Sequence, residues 1–437
     1  MNTPAALIET LRASDFAEFT GEVTAIGQGG ISASGPLCAV GEMCRIGDGG
    51  DAPLAEVVAV DAASIQLLPL GPVKNILPGA RVRRSGAHST FRSGDAFAGR
   101  AVDGFGAPID GGAPLLAKPH HRALGIDALS KTVHPERVAT GLRAIDALLP
   151  IAQGQRIGIF AASGVGKTTL VEQLSSQIDC DHVVACLIGE RGREVERLWD
   201  MHRKGSHKDK ITLVAATSDE SASARVRAMH QALALCEEWR TQGKHVVLFV
   251  DSVTRLAMAL REIGLAAGEP PSVRSYTPNV FAALPNVVER CGAIRGGGAI
   301  TAIFTVLSET DDVDDPIVET MKSILDGHIV LSRKLAEKGH YPAIDIAASV
   351  SRVADQLLDQ RTQGAAQALR RSFAEFEESR AMIESGIYQA GSSTAIDRAI
   401  ALQPRIAEFV RQTQPESADL AAVDAKLAQC VAEGGVL

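Results

Sequence analysis

The sequence predicts an α/β protein. A parallel sheet with helices on both faces follows a small N-terminal β-barrel or sandwich and precedes a helical C-terminal domain. Three patterns carry this expectation. Residues 21–89 contain short β-type runs (GEVTAIGQGGISAS, LCAVGEMCRIG, LAEVVAVDAASIQLLPL, ARVRRSG) broken by Gly, Pro and Asp, the rhythm of a small barrel or sandwich. Residues 90–355 alternate strand-like and helix-like stretches, as a parallel sheet covered on both faces does. Residues 356–437 turn helical and charged. At 437 residues the chain exceeds one ordinary core, so several domains are expected on length alone.

Taken in order, the elements follow from spacing. Within segment 1–20, residues 4–14 place Ala5, Leu7, Ile8 and Leu11 as a short amphipathic helix would. In the central part, apolar runs at 156–160, 182–188, 210–216, 245–250 and 299–307 read as strands. Between them, residues 222–243 set Val226, Met229, Leu233, Cys236 and Trp239 at helical spacing, a stripe that faces a core. Leu369, Phe373, Phe376 and Ile383 form a similar stripe in the last part.

Composition excludes several classes. The net charge of −8 disfavours a non-specific nucleic-acid binder, and 4% aromatics offer no stacking platform for single strands. No apolar run approaches the roughly 20 residues of a membrane span, and the N-terminus lacks a signal-peptide core, which points to the cytoplasm. Cysteines 38, 44, 180, 186, 236, 291 and 430 are scattered and lack C-x-x-C spacing, fitting a reducing compartment rather than a disulfide frame or zinc site. His120, His121 and His134 also lack metal-ligand spacing.

Chemistry concentrates at residues 156–170, RIGIFAASGVGKTTL. An apolar strand runs into small residues (Ala162, Ser163, Gly164, Val165, Gly166), and Lys167, Thr168 and Thr169 open a helix. That order is a phosphate-binding loop, with Ala161 where the first glycine of the usual pattern stands. Glycines let successive N–H groups turn inward at phosphate oxygens, and the helix start adds its positive dipole end. Lys167 then reaches the β- and γ-phosphates and Thr168 offers a hydroxyl to Mg²⁺, so the ligand expected is a nucleoside triphosphate.

In a parallel sheet, ligands bind beyond the carboxyl ends of the strands. The 182–188 strand ends at Gly189-Glu190-Arg191 and the 245–250 strand at Asp251, so these ends share a rim with the loop. Asp251 closes VVLFVD as a Mg²⁺-holding acid would; the alternative is a helix N-cap ahead of Ser252-Val253-Thr254. Glu190 stands where an attacking water needs a base; alone it reads equally as a surface glutamate. Arg352, in SVSRVAD, lies at the far end of this domain from the loop, where it could serve a neighbouring subunit or a structural salt bridge. Tyr341, in GHYPAID, could cover an adenine face or simply pack. The acidic run at 309–315 reads as a solvated loop or, in a ring, as a channel lining.

TGLRAIDALLPIAQGQRIGIFAASGVGKT, LIGERGREVER, FVDSVTRLAMALREIGLAAGEPP, SYTPNVFAALPNVVERCG, ILDGHIVLSRKLAEKGHYPAID and SVSRVAD together resemble the type III protein-export ATPases. That family comprises the flagellar export ATPase and the injectisome secretion ATPases, and is similar to rotary ATPase subunits. The resemblance covers about residues 20–412, including RAVDGFGAPIDG and GIYQAGSSTAIDRAIALQPRIAEFV.

It implies an N-terminal β-barrel, a RecA-like P-loop core and a C-terminal helical domain, assembled as a homohexamer that hydrolyses ATP with Mg²⁺. It assigns Lys167 and Thr168 to phosphate and Mg²⁺, Glu190 to the hydrolytic water and Asp251 to the metal. Arg352 becomes a finger into the adjacent subunit's site, Tyr341 the adenine-side aromatic, Arg191 of the GER motif a catalytic-site residue that stabilises the site, and Arg255 a neighbour of it. Implied partners are export-gate membrane proteins, a stator-like regulator, a central stalk protein and chaperone–substrate complexes, with no nucleic acid. The protein is then expected peripherally at the cytoplasmic face of the inner membrane, with segment 1–20 in oligomerisation. ILDGHIVLSR and DSVTR look more like the flagellar branch. An injectisome ATPase and, more remotely, a rotary synthase catalytic subunit remain alternatives; Glu190 and Arg352 in one chain favour a ring of identical subunits.

Overall fold

The computed structural model describes residues 19–432, apart from 28–29, 50–51, 72–74, 86–90, 117, 121–126, 133–135, 206 and 308–314. The expected helix at 4–14 and most of the acidic run lie outside the described residues. The chain gathers into two compact units. One comprises the described part of Met1–Thr90 with Asp219–Val226 and Ala259–Val280; the other takes the remainder.

In the first unit the alternation of apolar and polar residues closes into a barrel. Its strands are β1 (Thr20–Gly27), β2 (Gly30–Ala33), β3 (Met43–Ile46), β4 (Leu54–Val60), β5 (Ile65–Pro69) and β6 (Arg81–Arg84). They run in the order β1-β2-β5-β4-β3-β6, and β6 pairs back onto β1. Closure decides between barrel and sandwich and leaves no free edge. The inward residues Val23, Ile31, Ala33, Cys44, Ile46, Ala55, Val57, Ile65, Leu67 and Val82 fill it. Gly21 permits one close approach: a Cβ there would stand 2.1 Å from the Gly35 carbonyl.

The second unit is built on a mostly parallel sheet. Its strands are β7 (Ala101–Val102), β8 (Arg156–Ala161), β9 (His182–Glu190), β10 (Ile211–Thr217), β11 (His245–Asp251), β12 (Ala299–Leu307), β13 (Gly327–Leu331) and β14 (Ile344–Ser351). Across the sheet the order is β14-β13-β8-β12-β11-β9-β10-β7, with only the β13–β14 pair of this path antiparallel. The apolar runs of the sequence become β8 to β12 because strands buried on both faces carry near-continuous apolar residues. Sequence patterning did not mark β13 and β14 as strands. Both carry half-buried or exposed positions between buried ones, so their apolar runs are broken.

Helices cover the sheet. The stripe at 222–243 lies in the helix Ala222–Thr241, where Met229, Leu233, Cys236 and Trp239 are fully buried. The helix α1 (Arg143–Leu148) is buried along its whole length. With Ile157 and Ile159 of β8 and Ile329 of β13, its Ile145 and Leu148 share one core with three C-terminal helices. These are α6 (Gln360–Glu384), α7 (Thr394–Val410) and α8 (Leu420–Ala432). They contribute Leu369, Phe373, Leu402, Ile406, Val423 and Leu427. Phe376 and Ile383, expected in the same stripe, are only half-buried. Polar groups reinforce the join: Arg137 makes two 3.0 Å hydrogen bonds to Asp424, and Arg143 Nε donates to the Phe409 carbonyl at 2.8 Å.

A shared core predicts shared unfolding. Leu427→Ala removes a fully buried side chain and is expected to cost about 2–5 kcal/mol. Thermal unfolding followed by limited proteolysis checks it: the C-terminal helices should melt with the sheet, and their earlier, separate release in the wild type would contradict the shared core.

Candidate active site

The sequence RIGIFAASGVGKTTL folds as a strand, a tight turn and a helix start. Strand β8 is held between β12 and β13 and delivers the chain to residues 162–166 at its carboxyl end. Val165 is buried and anchors the turn, Ser163 and Gly164 are exposed, and Ala162 is half-buried. Gly164 and Gly166 have φ of 80° and 92°, left-handed conformations that favour glycine. Gly166 then caps the helix α2 (Lys167–Gln177), whose first turn carries Lys167, Thr168 and Thr169. The free N–H groups and positive dipole of that turn suit an anion. Beside the turn stands Tyr341: a Cβ on Gly166 would lie 3.2 Å from its ring, which is 44% exposed. The Tyr341 carbonyl accepts from the Gln412 N–H at 3.0 Å, which ties this aromatic to the chain following α7.

Two carboxylates meet the loop on the same rim. Strands β9 and β11 are neighbours, with Leu187 opposite Asp251. Lys167 Nζ forms an ion pair with Asp251 Oδ1, and the same oxygen accepts from Thr305 Oγ1 of β12 at 2.6 Å. Asp251 is therefore committed across the strands. The capping alternative belongs instead to Ser252, whose hydroxyl accepts from the Arg255 N–H at 3.4 Å in the helix α5 (Val253–Ala266). Thr305 bears no motif and was missed from sequence. The available signal was a hydroxyl inside the apolar run AITAIFTVL, next to the strand that ends in Asp251.

Glu190 ends β9 after an irregularity at Gly189, whose φ of 68° turns the chain over Arg255. A Cβ on Gly189 would stand 3.2 Å from Arg255 Cβ. Glu190 is 8% exposed and, among the described residues, its Oε1 has no hydrogen-bond partner. Burial first and the Asp251 charge second push its carboxyl up to about 7, against the opposing pull of Lys167. Glu190, Asp251 and Lys167 thus act on one another electrostatically. Arg255 lies beside them with its Nε buried and unpaired among the described residues. Arg191 is exposed at the N-cap of the helix Gly192–Lys204.

Arg352 stands apart. It follows β14 at the opposite edge of the sheet, where its N–H donates to the Asp326 carbonyl at 3.1 Å. Its exposed guanidinium donates to the Lys322 carbonyl at 3.2 Å. A strand rises roughly 3.3 Å per residue, so the five steps from Arg156 to Ala161 separate the two edges by about 17 Å.

Known proteins share this arrangement of elements. The model of the ATP synthase alpha/beta family, nucleotide-binding domain, matches residues 141–351, and that of the T3SS EscN ATPase C-terminal domain matches 358–429. The flagellum-specific ATP synthase of Bacillus subtilis is 39% identical over 94% of this chain and 95% of its own length. The SPI-2 type 3 secretion system ATPase of Salmonella typhimurium is 42% identical over 86% and 87%. Among solved structures, the assembled ATPase EscN of the enteropathogenic E. coli type III secretion system superposes with a TM-score of 0.89. That match is at 39% identity and covers 94% of this chain and 100% of that one. EscN with its central stalk EscO gives 0.86 at 38% identity over the same shares.

Glu190 makes stability depend on pH. In the folded chain it holds its proton to about pH 7, in the unfolded chain only to about pH 4.3. Across that window the folded state binds the extra proton, so the stability its burial permits at low pH is lost as pH rises toward 7. Nucleotide-free thermal unfolding of Glu190→Gln, neutral throughout, should gain on wild type from pH 4.5 to 8. A constant difference would contradict the shifted carboxyl.

Proposed function

We propose that this chain, which belongs to the family of flagellum-specific and type III secretion ATPases, hydrolyses ATP as a ring of identical subunits to power protein export. One observation carries the ring: the loop, Glu190 and Asp251 share one edge of the sheet, while the exposed Arg352 occupies the other. A site lacking its arginine is completed when a neighbour's opposite edge faces it. The relative EscN is solved as an assembled ATPase and also with a central stalk, which supports a homohexamer and a stalk partner here.

The residues present suit MgATP. The two left-handed glycines open the loop, a buried acid and a lysine meet at its mouth, and the unpaired Glu190 oxygen is buried beside them. Thr168 and Asp251 would hold Mg²⁺, which when bound neutralises charge between the β- and γ-phosphates. Residues 162–169 cradle the phosphates through backbone N–H groups, and Lys167 exchanges Asp251 for their oxygens. Tyr341 flanks the adenine. Glu190 orients the attacking water and accepts its proton as oxygen attacks the γ-phosphorus and the bond to ADP breaks. A base titrating near 7 suits that role. Arg352 of the adjoining subunit stabilises the charge on the γ-phosphoryl group, with Arg191 and Arg255 supporting the site.

The export reading extends to export-gate proteins, a stator-like regulator and chaperone–substrate complexes at the cytoplasmic face of the inner membrane. No helix among the described residues is long and apolar enough to cross a membrane. We assign the flagellar branch on ILDGHIVLSR and DSVTR; an injectisome ATPase is the alternative, and neighbouring genes for flagellar rod or for needle components decide.

Glu190→Gln is expected to lower ATP turnover by about 10²–10⁴-fold while nucleotide affinity persists, and an active variant would remove Glu190 from its role. Arg352→Ala should likewise bind nucleotide without turning it over. Mixing the two variants should restore activity, because some interfaces then pair an intact Glu190 with an intact Arg352; no recovery at any ratio would rule out the shared site.

A further inference from the structure

The edge of the sheet opposite the phosphate loop carries an ion-pair network that the reaction chemistry leaves unused. Arg156, the first residue of β8, gives Asp326 two side-chain hydrogen bonds, Nε to Oδ2 at 2.9 Å and Nη2 to Oδ1 at 3.0 Å. Its backbone N–H donates to the same Oδ2 at 3.0 Å, and the Asp326 N–H returns to the Arg156 carbonyl at 2.8 Å. Nη1 of Arg156 donates to Glu289 Oε1 at 2.7 Å, and Glu289 also pairs with Lys131. An isolated surface pair contributes little, but a bidentate guanidinium–carboxylate pair with backbone bonds on both residues fixes an orientation.

What it orients is the segment that seats Arg352. The Asp326 carbonyl accepts from the Arg352 N–H, and the Lys322 carbonyl accepts from its guanidinium. Lys322 lies in the last turn of the helix Pro316–Ile324, where carbonyls lack intrahelical partners and favour a cation. Both anchor points of Arg352 therefore lie in residues 322–326, and Arg156 pins that segment to the sheet.

We propose that Arg156 and Asp326 are positioning residues that hold Arg352 ready for the adjoining subunit's active site. The inference rests on the shared-site reading above. Rigid placement matters because a misplacement of about 1 Å costs on the order of 10² in rate. Asp326→Asn keeps the shape of the side chain and removes the charge that engages Arg156; Arg156→Gln breaks the pair from the other side.

The test is complementation in mixed rings. Each variant should bind nucleotide as wild type does and lose on the order of 10² in turnover. Each should recover activity when mixed with Glu190→Gln subunits, which supply a well-seated Arg352, and should recover none when mixed with Arg352→Ala subunits. Recovery with both partners would mean a general assembly defect and overturn the proposal, as would full activity of both variants alone. If Arg352→Ala is rescued by Glu190→Gln but neither Asp326→Asn nor Arg156→Gln is, the positioning role fails while the shared site stands. If Arg352→Ala is not rescued either, the shared-site reading fails and takes this inference with it.

Discussion

The pairing of Lys167 with Asp251 is the interaction on which the rest of the site depends. It brings together the first residue of α2 and the last residue of β11, two elements 84 positions apart in the chain. Thr305 holds the acid from a third element, the neighbouring strand β12. A lysine and an aspartate largely buried at a strand-end rim neutralise one another, and in the proposed mechanism both charges become available when a phosphate competes for the lysine. Glu190 experiences the same charges yet makes no hydrogen bond through Oε1 among the described residues. Its proton affinity is therefore set by burial and by its neighbours, as acid–base work near neutral pH requires.

The second constraint is the polarity of the parallel sheet. Carboxyl ends gather the loop and the acids, so a residue at the amino ends cannot serve its own site. Arg352 is such a residue, and the Arg156–Asp326 pair lies at the same edge. Strand β8 links the two edges: it begins at Arg156 and ends at the phosphate loop. In the ring proposed above, that separation becomes a shared active site, and motion between subunits would then bear directly on the rate of hydrolysis.

How much of this the sequence revealed depended on burial and locality. Strands β8, β9, β11 and β12 were legible because burial on both faces writes an unbroken apolar run. GHIVL and IDIAASVS do not read as strands because half-buried or exposed positions lie between their buried ones. The loop from Ala162 to Thr169 was legible because its chemistry is contiguous, whereas Thr305 acts only through a partner on another strand. Glu190 alone read equally well as a surface residue; its burial and its electrostatic link to Asp251 appear only when β9 and β11 are side by side. Arg352 owed its assignment to family resemblance, and the three-dimensional placement adds a reason why it points outward. The C-terminal helices, read as a separate helical part, share a core with α1 and β8.

A structure of the assembled protein with Mg²⁺ and a non-hydrolysable ATP analogue probes the central claim most directly. Lys167 should have left Asp251 for the β- and γ-phosphate oxygens, with the Glu190 carboxylate one water away from the γ-phosphorus and an adjoining subunit's Arg352 on the γ-phosphate. A nucleotide-filled site in which Lys167 still grips Asp251, or in which no arginine arrives from next door, would contradict it.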